Sequence, residues 1–252
     1  MTVPLADLVG YLDGYLRIAD IPDSAKAWNG LQVEGRREVG KVAVAVDASE
    51  RGIEVAVDRG LDLMLVHHGL FWEGGIPLTG RRYRKVARLV ESGMGLYSSH
   101  IPLDVHPDVG NNVVLARALG VSVDGWFGDY RGIPLGCHGG VTLRRDELGA
   151  RLEAVLGGGI RVVAGGPDAI RRVGVITGAG AGMIRDAVDA RLDALITGEG
   201  AHHTYFDAME HGINVYYGGH YATEVWGVRA LAEHLRDVFG IEWTFIDVPT
   251  GF

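Results

Sequence analysis

Apolar residues fall into two alternating rhythms along the chain. Residues 3–16 carry Leu5, Leu8, Val9, Leu12 and Leu16 at helical spacing, which predicts an amphipathic helix. Residues 41–46 (KVAVAV) form a short apolar run rich in β-branched side chains, which predicts a buried strand. Helix and strand then alternate: helix 50–59, strand 61–66, helix 82–91, strand 94–98, helix 111–119. The same order returns further on, with strand 173–177, helix 183–190, strand 192–197, helix 204–211, strand 214–217 and helix 223–235. Strands separated by helices of this length imply an α/β fold with mainly parallel sheets flanked by helices.

The two series overlay. At a shift of 131, Val42 falls on Val173 and AVDRGLDLMLV (from Ala56) falls on AVDARLDALIT (from Ala187). VESGMGLYSSH (from Val90) resembles MEHGINVYYGGH (from Met209). Matched acids inside the overlay (Asp58 with Asp189, Asp62 with Asp193, Glu91 with Glu210) favour an internal duplication over two unrelated βαβ units. The expectation is two similar α/β lobes, residues 1–125 and 126–252, with a site in the cleft between them.

Composition narrows the class. The chain has 252 residues, 47% apolar and 22% charged, with a net charge of -8. A chain of this length holds a core without disulfide or metal. Its acidic balance argues against general nucleic-acid binding through a basic field. No apolar run approaches a membrane span. A single cysteine, Cys137, and no secretory leader point to the reducing cytoplasm.

The repeat also aligns polar groups at strand ends. One strand runs into His67-His68-Gly69, its counterpart into Gly198-Glu199-Gly200. A second strand runs into His100-x-x-x-Asp104, its counterpart into His220-x-x-x-Glu224. In open parallel sheets ligands bind beyond the carboxyl ends of the strands. Adjacent strand residues point opposite ways, so His67 and His68 serve one site only if the chain turns at Gly69. His220 and Glu224, four apart at a helix start, share a face. Each feature has a plainer reading, as a half-buried imidazole or a capping carboxylate. Taken together, His67, His68, Asp104, His220 and Glu224 suit Zn, Fe, Mn or Co, and two such ions activate water and polarise a substrate oxygen. His100, His202 and His203 are further imidazoles near these strand ends, either proton carriers or surface groups. Asn29 is a weak candidate in a turn, and Gly178-Ala-Gly-Ala-Gly lacks the Lys of a phosphate loop.

LVHHGLFW, SSHIPLDVHPDVGNN and GGHYATEVWGVRAL resemble the signature blocks of the NIF-three-like dinuclear metal-centre family, the GTP cyclohydrolase I type 2 homologues. WNGLQV and TGEGAHH resemble two further blocks, with Trp28-Asn29 directly before Gly30 and Glu199 where many members have Asp. The resemblance implies a homohexamer with two divalent ions per chain. It puts His68 and Asp104 on one ion, His67 and His220 on the other, and Glu224 as the bridge. It also implies metal-dependent hydrolysis in which activated water attacks a purine-type ring such as that of GTP. His100, Glu199 or His203 would then move protons. Two other functions fit the same residues: another hydrolase such as a phosphoesterase, with Arg81, Arg82 and Arg84 as phosphate contacts, or a non-enzymatic metal-binding interaction or regulatory protein.

Overall fold

The computed structural model describes all residues, 1–252, and the chain forms two compact units. The first comprises Met1–Leu103 and Val228–Val248, the second Asp104–Gly227 and Pro249–Phe252.

The first unit is built on a five-stranded sheet in the order Glu242–Phe245, Lys41–Asp47, Leu63–His68, Gly95–Ser98, Gly30–Val33. The first four strands are parallel, and Gly30–Val33 closes the edge antiparallel. Val42 to Val46 are all buried, as a strand covered on both faces requires. The core interleaves strand residues such as Ala43, Met64 and Leu96 with Ile53, Ala56 and Leu89 from the helices Glu50–Asp58 and Gly80–Ser92. The first of these helices starts where the Ser49 hydroxyl accepts from Gly52 N at 3.0 Å, a local N-cap.

The second unit has a six-stranded sheet in the order Ser122–Tyr130, Ile133–Arg144, Ala169–Val175, Ala194–Thr197, Asn214–Tyr217, Arg161–Ala164. Its central three strands are parallel and its outer ones antiparallel. Its core joins Leu148, Leu152, Val173, Ile196 and Tyr216.

Each unit thus contains the same three-strand parallel element in the same register. Val42 lies opposite Leu63, and Val173 opposite Ala194. Leu63 lies opposite Gly95, and Ala194 opposite Asn214. The helix before the third strand ends in both cases on a left-handed glycine, Gly93 (φ 69°) and Gly212 (φ 72°), where other residues would be strained. No helix is long and apolar enough to cross a membrane.

Candidate metal centre

In the first unit the sheet delivers a cluster of three imidazoles. His67 and His68 end the strand Leu63–His68, and His100 follows the strand Gly95–Ser98. Ring centroids lie 4.6 Å apart for His67 and His68, 4.9 Å for His67 and His100, and 5.6 Å for His68 and His100. One nitrogen from each can be chosen so that all three lie within 4.8 Å of one another. The two adjacent strand residues therefore reach one place. The chain leaves the strand at Gly69, where a Cβ would collide with the Gln32 side-chain amide. Gln32 in turn braces the bend: Nε2 donates to the carbonyls of Ala27 and Trp28 at 3.0 and 2.9 Å, and Oε1 accepts from Leu70 N at 2.7 Å. Trp72 closes one side, its ring edge-on to His100 at 4.7 Å.

The hydrogen bonds decide which nitrogen each imidazole presents. His67, fully buried, has Nδ1 at 3.0 Å from the Ser99 carbonyl. A carbonyl only accepts, so Nδ1 carries the hydrogen and Nε2 keeps its lone pair. His68 Nδ1 faces Asp47 Oδ1 at 3.0 Å, and His100 Nδ1 faces the Asp23 carboxylate at 2.9 and 3.1 Å. This is the arrangement that orients metal-binding imidazoles, with the second nitrogen anchored on a carbonyl or carboxylate.

Asp23 is itself held. Burial pushes its carboxyl up, but the hydrogen bond and charge of His100, with bonds from Asn29 and Ser24, outweigh that and keep it below the usual carboxylate range. Asn29 bonds both partners, donating to Asp23 at 2.8 Å and accepting from His100 N at 2.7 Å. Its place is behind the imidazole, as a brace.

The second unit gathers carboxylates around an imidazole. His220 opens the helix His220–Phe239 and Glu224 follows one turn later, with His220 Nε2 at 3.0 Å from Glu224 Oε2. His220 Nδ1 lies 2.9 Å from Glu199 Oε1. The hydrogen bond to Glu224, against the effect of burial and with Glu199 adding, pushes the His220 imidazole up to about 9. Glu224 is only 3% exposed. Space for its carboxylate comes from Gly178, at φ 64°, where a Cβ would run into Glu224 Oε1. The glycine run after the strand Ala169–Val175 is a cradle for a carboxylate. Asp104, at the end of the helical turn Ile101–Asp104, is buried and accepts from Asn111 Nδ2 at 2.9 Å and from Thr177 Oγ1 at 3.4 Å.

Imidazole nitrogens of fixed tautomer in one unit, and an imidazole with buried carboxylates in the other, fit a borderline divalent cation in the chemistry of their donors. Burying carboxylates is costly unless a cation or several donors face them.

Other expected residues fall elsewhere. His203 precedes the helix Thr204–His211 without a capping side-chain bond, its side chain 72% exposed and 3.9 Å from Asp207. Arg82 is buried and donates to the Ile76 and Gly74 carbonyls, both at 2.9 Å. Arg81 pairs with Glu73 and Arg84 with Glu50, so all three arginines are engaged within the chain. Sequence reasoning missed Asp23, Asp47, Gln32 and Asn111. Asp47 alone left a signal, a carboxylate ending an apolar strand.

Residues 3–251 match the family model Duf34/NIF3 (NGG1p interacting factor 3). A Deinococcus radiodurans protein named GTP cyclohydrolase 1 type 2 homolog is 44% identical, the match covering 97% of this chain and 93% of that protein. An Archaeoglobus fulgidus protein of the same name is 39% identical, over 98% and 99%. The crystal structure of TTHA1606 from Thermus thermophilus has a TM-score of 0.90 at 41% identity, covering 99% of this chain and 100% of that one. With a family model matched from end to end and relatives this similar over full length, the chain belongs to the DUF34/NIF3 family.

Proposed function

We propose that the chain is a metal-dependent hydrolase of the GTP cyclohydrolase I type 2 kind. The proposed ligands are His67 and His68 of the first unit and Asp104, His220 and Glu224 of the second, for two divalent ions per chain. The observation that carries the reading is the orientation of the imidazoles. His67, His68 and His100 each commit Nδ1 to a carbonyl or carboxylate, which leaves Nε2 as the ligand or proton-carrying atom, while His220 commits Nδ1 to Glu199 and turns Nε2 to Glu224, itself a proposed ligand. The name its relatives carry, GTP cyclohydrolase 1 type 2 homolog, suggests the substrate GTP.

Such ions, when bound, supply the Lewis acidity that activates water and polarises a ring nitrogen. The chain's own residues do the rest. Asp47 and the Ser99 carbonyl hold His68 and His67 in one tautomer. Asp23, kept ionised, makes His100 the better candidate to carry a proton, at Nε2. Glu199 orients His220 through Nδ1. His203, exposed and beside Asp207, is not oriented by any buried carboxylate. The cytoplasmic location and the homohexamer implied by the family resemblance belong to the same reading.

Elemental analysis of the purified protein tests the metal, and mass spectrometry of GTP incubations tests the reaction. The expected result is about two ions per chain, fewer in folded His68→Ala and Glu224→Ala variants, and a ring-opened product from GTP. Absence of metal after reconstitution overturns the reading. Metal with turnover of simple phosphate esters but not of GTP replaces it with a phosphoesterase. A metal-loaded protein that turns over neither leaves a binding or regulatory role.

A further inference from the structure

The second unit carries a cavity of about 550 Å³ that no proposed ligand explains. Residues 198–202 after the strand Ala194–Thr197, the start of the helix Thr204–His211, and Arg161 and Val163 on the edge strand Arg161–Ala164 form its wall. The volume suits a small molecule; such sites span roughly 300–1,000 Å³.

Its lining has two distinct chemistries. Tyr205 and Phe206 lie 44% and 49% exposed, side by side on the rim. Their rings meet edge to face with centroids 5.3 Å apart, and His202 stands edge-on to Phe206 at 5.8 Å. Tyr217, on the inner wall, is fixed by a 2.7 Å bond between its hydroxyl and Thr204 Oγ1. Two such rings at right angles offer a planar ligand one face to stack on and one edge to abut. Arg161, opposite Tyr217 across the strand pair, makes no ion pair, whereas Arg145 and Arg172 of the same unit each hold an aspartate. A guanidinium left on a cavity wall offers a fork of donors that matches phosphate. Glu199 belongs to both places: it lines the cavity and bonds His220.

We infer that this cavity is a nucleotide-binding subsite, with the ring against Tyr205 and Phe206, the phosphates on Arg161, and the Glu199 end adjoining His220. The inference rests on the proposed function, since its ligand is that reaction's substrate.

The test is stopped-flow titration of the metal-loaded protein, which reads binding ahead of turnover, with GTP, guanosine and inorganic triphosphate as probes. Phe206→Ala should weaken GTP and guanosine together by about tenfold or more. Arg161→Ala should weaken GTP and triphosphate by about tenfold and leave guanosine unchanged. Both variants should keep the native metal content and thermal midpoint. Native protein that binds no GTP overturns the inference, as does GTP affinity unchanged in both variants. GTP binding that falls in both variants without any GTP turnover removes the cyclohydrolase reading and supports the subsite. Turnover with undiminished kcat/KM in both variants removes the subsite and supports the cyclohydrolase.

Discussion

Nδ1 of His68 lies 3.0 Å from Oδ1 of Asp47, the residue directly opposite it in the parallel strand pair. One ladder position therefore sets both the main-chain register and the tautomer of a proposed ligand. Removing the carboxylate frees the ring to turn and lowers the basicity of Nε2. Asp47→Ala should lower metal affinity about 10- to 100-fold, the usual effect of losing such a partner. Asp47→Asn, whose amide oxygen still accepts from Nδ1, should lose less. Competition with a chromophoric chelator measures both. Equal affinity in Asp47→Ala and the native protein would remove Asp47 from this role.

In the repeat overlay the counterpart of Asp47 is Gly178, and the two positions do opposite things. Asp47 supplies a carboxylate to an imidazole, whereas Gly178 supplies the space that lets Glu224 approach His220. Gly178→Ala meets two penalties. A β-carbon at φ 64° costs about 1–2 kcal/mol, and the new methyl occupies the position of Glu224 Oε1. Denaturant unfolding should show that loss, and metal content should fall with it. A stability loss with full metal content would separate Gly178 from the carboxylate's placement.

How much of this was legible in the sequence depended on the range of each interaction. Thr204–His211 and Asn214–Tyr217 form where their apolar spacing placed them, because period and length are local signals. The strand expected at 61–66 runs instead from Leu63 to His68, since a buried strand ending in imidazoles has no apolar residue to mark its end. The hairpin Ser122–Tyr130 and Ile133–Arg144 went unread. Its strands rely on close backbone approach, with a Cβ at Gly139 barred by the Ser122 carbonyl, and glycine erases the alternation that would betray a strand. The return of Glu242–Phe245 to pair with Lys41–Asp47 is a contact between chain ends that no periodicity encodes. At the site, the imidazoles were visible because the repeat aligned them. The groups behind them were not: Asp23 meets His100 across 77 positions.

The Asp23–His100 pair gives the acid limb of stability a specific source. With its carboxyl below the usual range, Asp23 in the unfolded chain takes up a proton at a higher pH than in the folded one. Its contribution is therefore complete above the ordinary carboxylate value of about 4 and is lost as pH falls from there through the lower folded value. Urea unfolding should find Asp23→Asn less stable than the native protein at pH 7 and less sensitive to acid below about pH 4. Parallel acid limbs in the two proteins would assign that sensitivity to other carboxylates.

Asn111 links Asp104 to the last helix. Fully buried, it donates from Nδ2 to Asp104 at 2.9 Å and accepts at Oδ1 from Gly227 N at 2.6 Å. Asn111→Ala strands the Gly227 N–H and leaves Asp104 Oδ1 with the longer Thr177 bond, so metal-free protein should lose about 1–3 kcal/mol to urea unfolding from the stranded N–H. Asn111→Asp keeps an acceptor for Gly227 and replaces the donor to Asp104 with a second carboxyl. Two acids in one buried place cannot both ionise cheaply, so one must hold its proton to a higher pH than it does unfolded. The sign follows: the folded state binds the extra proton, so metal-free Asn111→Asp should gain stability relative to the native protein as pH falls from 7 towards 5. A metal ion beside Asp104 would neutralise the same repulsion, so added Zn should stabilise Asn111→Asp at pH 7 at least as much as the native protein. Zn that stabilises the native protein and leaves Asn111→Asp unchanged would place the ion away from Asp104.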